Sequence, residues 1–540
     1  MSFFRLVGRE IQGSVPRLAF MSVLGGVSNA AILATINAGG EGAHAGRTSI
    51  WSALLFILSL VLFIKTQSYV MITTTAEVER ILHQIRVRLM DYVRRSELLQ
   101  LESVGRSSIV VVITADTNTL TQASNMLAFA AQGSILVVFV GCYIAYLSLL
   151  AFFLSAITIA VSAMIFSLKH RRLSLETKQS SVWEGQFYER MMDILDGFKE
   201  VRLNTLRSDD LIAEIQEVSR RAANIKIRTQ SETFRQLVFA QSSMYLLLGV
   251  VVFIAPTFSD YLEGSSISKI TTALLYIVGT CFGIAQAIPM LNSADAAADR
   301  IETLEKALRE IAHGGESESR EAKREFTMIE MRGVEFEYIV KGSDHAFRVG
   351  PCSVTIRKGD LIFITGGNGS GKSTFMRLLA GLYKPADGEI TLDGQVITSQ
   401  NIDSYRSLFA AVLSDYHLFR RLYGIRDWDH AAIPQMLAEF GLQGKIALDD
   451  NEFDNLDLSA GQKKRLALIV SMLERRPILL LDEWTADQDS EFRRRFYSDI
   501  LPELIDRGIT VVAITHDERY LEDLKLPIRR LRMDEGRLIE

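Results

Sequence analysis

At 540 residues the chain has room for two to four domains, and its formal net charge of −5 speaks against a nucleic-acid partner. Its three cysteines, Cys142, Cys281 and Cys352, are too scattered to suggest a disulfide framework or a thiolate metal site. Hydrophobic residues make up 48 % against 23 % charged, and the mean hydropathy of +0.16 is high for a soluble protein. The excess sits in long apolar runs before residue 300; the remainder of the chain reads as a soluble α/β domain.

A membrane-crossing helix needs about 20 mostly apolar residues. Six runs qualify, at 18–37, 50–70, 126–146, 149–168, 237–258 and 270–291. The first opens only after Arg5, Arg9 and Arg17 and lacks a cleavage site, so it is no cleavable signal. The third and fourth are nearly continuous, so a tight turn near Leu147 and Ser148 is expected to split them. No peptidase-sized extension precedes the first run, which argues against leader cleavage during any export.

Cation placement orients the spans. The N-terminus carries three arginines, the 2–3 connection Arg80, Arg86, Arg88, Arg94 and Arg95, and the 4–5 connection Lys169, Arg171, Arg172, Lys199, Arg202, Arg207, Arg220 and Arg221. These belong in the cytosol. The 38–49 connection has only Arg47 and 259–268 has no arginine, so both face out. An even number of spans returns the soluble part to the cytosol. The two cytosolic segments are helical by period: Val78, Ile81, Leu82, Ile85, Leu89 and Val93 in 77–99, then Phe187, Met191, Ile194, Leu195, Leu211, Ile212 and Ile215 in 183–218. For most of these residues ordinary helix packing is expected. Periodicity breaks at 102–108 and 203–209, furthest from the membrane, where a membrane domain would touch a soluble one.

Residues 312–325 are rich in Gly, Ser and charge and read as a tether; the soluble domain is expected at 326–540. Its clearest signal is Gly366-Gly367-Asn368-Gly369-Ser370-Gly371-Lys372-Ser373-Thr374, a match to G-x-x-x-x-G-K-[ST] between an apolar strand pattern and a helical one. Glycines let backbone N–H groups turn onto a phosphate, the helix adds its positive end, and Lys372 reaches the outer phosphates. The run 478–481 is a buried-strand pattern ending in Asp482 and Glu483. Asp482, with the Ser373 hydroxyl, suits Mg²⁺; Glu483 suits a general base that orients water. His516 follows the strand 509–515 and either meets a terminal phosphate or is structural. Ser459-Ala460-Gly461-Gln462 opens a cationic helix with Lys463, Lys464 and Arg465.

The order of phosphate loop, Leu458-Ser459-Ala460-Gly461-Gln462, strand with Asp482-Glu483, and histidine resembles the ATP-binding cassette proteins. Six spans ahead of one cassette resembles the half-transporter exporters, and the likeness covers essentially the whole chain. It implies an α-helical six-span exporter-type membrane domain (1–311) fused to an α/β P-loop ATP-binding cassette domain. It implies ATP and Mg²⁺, and a homodimer in which Ser459–Gln462 of one copy faces ATP held by the other. It also implies that Tyr338 stacks on adenine and that Asp489 keeps its place after the base.

Three details depart from the common cassette: Ser414 where a Gln usually contacts Mg²⁺, with Asp415 as a substitute; Ala460 where Gly is commoner; and Trp484-Thr485-Ala486-Asp487-Gln488-Asp489 after the base. Together with 196–204 and 415–419 these resemble the bacterial cyclic-peptide exporters, which carry siderophore precursors, lipopeptides or microcins. The expectation is thus ATP-driven export of a peptide or siderophore-like cargo across the bacterial cytoplasmic membrane, in contact with membrane lipid. A siderophore importer, a lipid flippase, and a non-transporting ATP-gated channel or sensor are the alternatives. Asn29, Lys65, Gln132, Gln241 and Gln286 in the spans either line a pathway or bond between helices; Lys65, near a cytosolic end, snorkels.

Overall fold

The computed structural model describes residues 2–10, 15–44, 50–254, 264–312, 325–338, 347–425 and 432–539. Arg47, residues 259–263 of the 259–268 connection and nearly all of the expected tether lie outside them. The chain divides into two compact units, Met1–Arg95 with Leu101–Ile311, and Ser96–Gln100 with Ala312–Glu540.

The first unit is helical. A short amphipathic helix α1 (Ser2–Glu10) precedes α2 (Val15–His44) and α3 (Ile50–Arg95). Two short helices, α4 (Leu98–Val104) and α5 (Arg106–Val111), lead to α6 (Thr117–Leu147) and α7 (Leu149–Asp196). Then come α8 (Phe198–Leu203), α9 (Thr205–Gly249) and α10 (Gly264–Ile311). Among the described residues, five helical stretches, 16–40, 50–95, 108–147, 205–254 and 267–311, are long and apolar enough to cross a membrane, and the apolar stretch Leu149–Ile165 opens α7. The turn between α6 and α7 falls at Ser148, whose extended backbone (φ −160°) breaks the helix while its hydroxyl accepts from the Ala151 N–H at 3.3 Å.

The α3 stripe is buried as its period predicts: Val78, Ile81, Leu82, Ile85 and Leu89 pack with Ala294, Ala297, Ala298 and Ile301 of α10. Charges join the same helices. Arg300 pairs with the buried Asp116 at 2.5 Å, Arg9 with Glu305 at 3.0 Å and Arg88 with Glu10 at 2.9 Å. The second stripe behaves differently from plain packing: Leu195 and Ile212 are exposed, as are Phe198, Leu203 and Leu206.

Each expected cytosolic break is present, at Gly105 and at Asn204, and each is accompanied by a second one nearer the preceding helix. The α3 stripe stops at Arg95, and the break expected at 102–108 is two breaks, at Ser96–Glu97 and at Gly105 (φ 82°). The break expected at 203–209 is centred on Gly197 and Asn204, with 205–209 already helical. Asn204 causes this: its Oδ1 accepts from the Arg207 N–H at 3.1 Å and starts α9.

The second unit has two sheets. Strands β1 (Met328–Glu337), β2 (Arg348–Arg357), β4 (Asp387–Leu392) and β5 (Gln395–Val396) form an antiparallel sheet of order β2-β1-β4-β5. The main sheet has β3 (Leu361–Thr365), β6 (Phe409–Val412), β9 (Ile478–Asp482), β10 (Thr510–Ile514), β11 (Arg529–Asp534) and β12 (Arg537–Ile539) in the order β12-β11-β3-β10-β9-β6. All but β12 run parallel. A small hairpin, β7 (Leu448–Asp449) with β8 (Glu452–Phe453), stands apart.

Helices cover both faces, as a parallel sheet requires. In chain order they are α11 (Lys372–Leu379), α12 (Ile402–Arg406), α13 (Ala432–Glu439), α14 (Ala460–Leu473), α15 (Ser490–Arg495), α16 (Leu501–Asp506) and α17 (Glu518–Glu522). One core lies under α11 and around β1 and β2, the other under α14, α15 and α16. Leu98 and Leu99 pack on the first, and Glu97 pairs with Arg406 at 3.3 Å.

Cys352 is fully buried on β2, and burial pushes its thiol up to about 11. Iodoacetamide at pH 8 is expected to spare Cys352 in the folded protein and modify it after denaturation, read by peptide mass spectrometry. Modification at equal rates in both states would contradict the packing.

Candidate functional site

Strands β3, β10, β9 and β6 are parallel neighbours, so they end at one edge and their following loops gather there. Parallel α/β sheets bind ligands at such an edge. The pairing sets the register: Ile364 lies opposite Ile514, Ile514 opposite Asp482, and Leu481 opposite Val412.

The phosphate loop leaves β3 at Gly366 and enters α11 at Gly371, both with left-handed φ (143° and 101°). Only glycine fits at Gly366, where a Cβ would collide with the Met533 carbonyl of β11. Lys372 opens α11, is buried, and donates from Nζ to the Gly366 and Gly367 carbonyls at 3.0 and 2.8 Å. Its charge thus lies over the cradle. The buried Ser370 Oγ has no hydrogen-bond partner. Asn368 and Gly369 complete the turn, and Ser373 lies in the first turn of α11. The next residue, Thr374, bonds to the Tyr338 hydroxyl at 3.1 Å, so the aromatic ending β1 lies beside the loop. Phe336 and Tyr383 flank the Tyr338 ring edge-on at 5.1 and 6.1 Å.

Asp482, the last residue of β9, is 2 % exposed, and its Oδ1 has no hydrogen-bond partner. A buried carboxylate oxygen without a donor costs free energy. A hard cation satisfies it, so the residues present fit Mg²⁺, with the Ser373 hydroxyl as a second oxygen donor. Glu483 has a left-handed backbone (φ 47°, ψ 40°), and its Oε1 stands 3.2 Å from Nε2 of His516. The two residues expected to meet a terminal phosphate and its attacking water therefore touch. Ser414 lies in the turn after β6, beside the end of β9, and is exposed. Asp415 is drawn to Arg377 of α11 at 3.1 Å.

The signature residues form a different group. Ser459 caps α14 reciprocally with Gln462: the Ser459 Oγ accepts from the Gln462 N–H at 3.4 Å, and the Gln462 Oε1 accepts from the Ser459 N–H at 3.1 Å. Ser459 and Ala460 are exposed, so a free helix N-terminus points outward. Gly461 is fixed by closeness: a Cβ there would lie 2.5 Å from the Asp487 carbonyl oxygen. Asp489 caps α15 through the Phe492 N–H at 2.8 Å and pairs with Arg465 at 2.5 Å. These two contacts, the backbone one first, hold its carboxyl below the usual carboxylate range.

Lys464, Arg465, Trp484 and Gln488 bond the start of α14 to the loop after Glu483, and spacing did not single them out for that. Lys463-Lys464-Arg465 reads as a solvated cationic helix start, yet Lys464 is 7 % exposed and Trp484 is 1 % exposed. Gln488 bridges the Gly461 carbonyl at 3.2 Å and the Arg465 guanidinium at 2.7 Å. A charged residue inside the apolar face of α14, before Leu466 to Ile469, is the signal that marks burial.

The first unit holds a cavity of about 430 Å³ between α6, α7, α9 and α10. Its wall includes Ser134, Ser162, Gln241, Cys281, Phe282 and Ile288. Of the polar residues read from the spans, Gln241 lines it and bonds Tyr245 at 3.3 Å. Asn29 accepts from the Tyr276 hydroxyl, Gln132 is buried, and Lys65 and Gln286 are exposed.

A family model described as ABC transporter matches residues 349–486. The ATP-binding protein SyrD of Pseudomonas syringae pv. syringae is 31 % identical over 533 residues, covering 95 % of this chain and 93 % of that one. An ATP-dependent lipid A-core flippase of Paraburkholderia xenovorans is 23 % identical, covering 93 % and 85 %. The structure of a bacterial Atm1-family ABC exporter with ATP bound superposes with a TM-score of 0.72 at 18 % identity, covering 97 % of this chain and 94 % of that one.

Gly461→Ala forces the start of α14 away from the 484–489 loop. Such overpacking costs about 1–3 kcal/mol. For a domain of this size that lowers the melting temperature by roughly 2 to 12 °C, measurable by calorimetry on the full chain. An unchanged melting temperature would contradict the close approach.

Proposed function

This chain belongs to the ABC transporter family, a multi-pass membrane exporter with its nucleotide-binding domain in the cytosol that couples ATP hydrolysis to transport, and from that premise we propose that it exports an acylated or cyclic peptide as a homodimer. The observation that carries the dimer is the outward-facing start of α14. Ser459 and Ala460 are exposed, while their bonded neighbours serve the loop after Glu483. A helix N-terminus of this kind binds phosphate, and a second copy brings one. The exposed apolar residues Leu195, Ile212, Leu203 and Leu206 support the same reading.

In the proposed cycle, Tyr338 stacks on adenine and Gly366–Thr374 wraps the phosphates. Lys372 exchanges its two loop carbonyls for phosphate oxygens. Asp482 and Ser373 would hold Mg²⁺, with Ser414 as a further candidate hydroxyl; the ion would supply positive charge against the phosphate oxygens. Glu483 orients the attacking water, and His516, 3.2 Å away, fixes the carboxylate and faces the terminal phosphate. Ser459, Ala460, Gly461, Gln462 and Asp489 close the partner's site. Segments around α4 and α8 pass closure to the spans, which turn a cavity from inside to outside. Support for the first of these is that Ser96–Gln100 groups with the cassette.

The cavity's mostly apolar wall, with Ser162 and Gln241 as polar points, suits an amphipathic cargo. This favours a lipopeptide over a polar siderophore. A lipid flippase is the second reading, because relatives named lipid A-core flippases align over most of the chain.

Glu483→Gln is expected to keep ATP binding and slow turnover at least about 100-fold, measured by phosphate release and fluorescent-nucleotide titration. Inverted vesicles carrying the parent chain should accumulate a labelled acylated cyclic peptide only with ATP, and those carrying Glu483→Gln should not. Uptake of a labelled glycolipid in place of the peptide would favour the flippase reading. Accumulation without ATP would end the pump proposal.

A further inference from the structure

Glu483 has a left-handed backbone that a non-glycine residue adopts at a cost of about 1 kcal/mol or more. It persists only if the surroundings hold it. Its N–H donates to the Ile514 carbonyl at 3.2 Å, which ties one side to β10. Its carbonyl accepts from Nζ of Lys464 at 2.8 Å. Lys464 also pairs with Asp487 at 2.7 Å, four residues past the base. In the other direction, the Lys464 carbonyl accepts from the Trp484 indole N–H at 2.8 Å. Residues 483 and 484 are therefore each bonded to Lys464, one through its side chain and one through its main chain. The Trp484 ring is locked from behind by Phe496 at 4.6 Å and Phe492 at 6.2 Å.

We propose that Lys464 is a positioning residue for ATP hydrolysis: it clamps Glu483 in the left-handed conformation that aims its carboxylate, and it makes the start of α14 and the base loop one rigid block. This rests on the reading of Glu483 as the base and of α14 as facing the partner's nucleotide. The block then has a function that neither part has alone. The 459–462 turn addresses one ATP and Glu483 addresses the other, so closure of one site sets the base of its neighbour. Nothing in this requires Lys464 to touch nucleotide. A purely structural role predicts loss of stability and ATP affinity together; a positioning role predicts a loss confined to the chemical step.

Lys464→Met keeps most of the aliphatic stem and removes the donor. In the full chain in lipid nanodiscs, kcat for ATP should fall about tenfold or more, the variant losing both the charge-assisted bond to the Glu483 carbonyl and the pair with Asp487. KM and fluorescent-nucleotide affinity should stay within twofold, and vanadate trapping of ADP should fall with kcat. If that variant does not fold, Trp484→Phe carries the test: it removes the indole N–H that bonds the Lys464 carbonyl and leaves a smaller ring against Phe496 and Phe492, and a smaller loss of kcat at unchanged KM is expected. The proposal is overturned if kcat stays within twofold of the parent, or if affinity falls in step with kcat. Glu483→Gln is measured alongside. If it hydrolyses ATP like the parent, the base assignment fails, whereas a silent Lys464 variant beside an inactive Glu483→Gln removes only the clamp.

Discussion

The chemistry of this chain depends on one constraint: four short parallel strands must end together. Each of β3, β10 and β9 is five residues long and almost wholly buried, so none can slide without exposing apolar surface to water or burying a polar end. That fixes Gly366, Asp482, Glu483 and His516 at one edge although they lie up to 150 residues apart (516 − 366). The groups left unsatisfied there, the Ser370 hydroxyl and one Asp482 oxygen, are those a phosphate and a hard cation would complete. The site is thus held open by the sheet behind it.

A second tier of contacts ties this edge to the start of α14. The start of α14 is locked to the loop after Glu483 through Gly461, Lys464, Arg465 and Gln488. The same helix presents Ser459 and Ala460 to the outside. A helix end that is satisfied by its own capping box but leaves its positive dipole exposed has unused capacity for an anion. Among the described residues, Leu195, Phe198, Leu203 and Leu206 of α7 to α9 are exposed apolar side chains. The proposed pairing of two chains would use both features.

In the helical unit, charge is placed with similar economy. Asp116, Glu10 and Glu305 are each matched by arginine where long helices run side by side. An unmatched buried charge there would cost several kcal/mol. The lining of the apolar cavity between α6, α7, α9 and α10 contains none of these paired charges.

Much of this is legible in the sequence. Runs of apolar residues mark spans because they partition into lipid, where unpaired backbone forces them helical, and the G-x-x-x-x-G-K-[ST] spacing marks a phosphate cradle because its glycines let consecutive N–H groups turn inward. Ser148 and the α3 stripe come from period and capping alone. Where the signal is a single side chain competing with a long periodicity, the sequence is a poor guide: Asn204 starts α9 earlier than the pattern suggests, and α3 stops at Arg95. The 183–218 stripe reads as packing, but its periodicity does not say which molecule supplies the other face. Lys464 reads as solvated because a charge beside two others ordinarily is. Only the tertiary structure turns it inward, since the carbonyl of Glu483, nineteen residues on, is brought to it by the sheet. Local chemistry is written in spacing; which distant backbone group a buried charge will meet depends on how the layers stack.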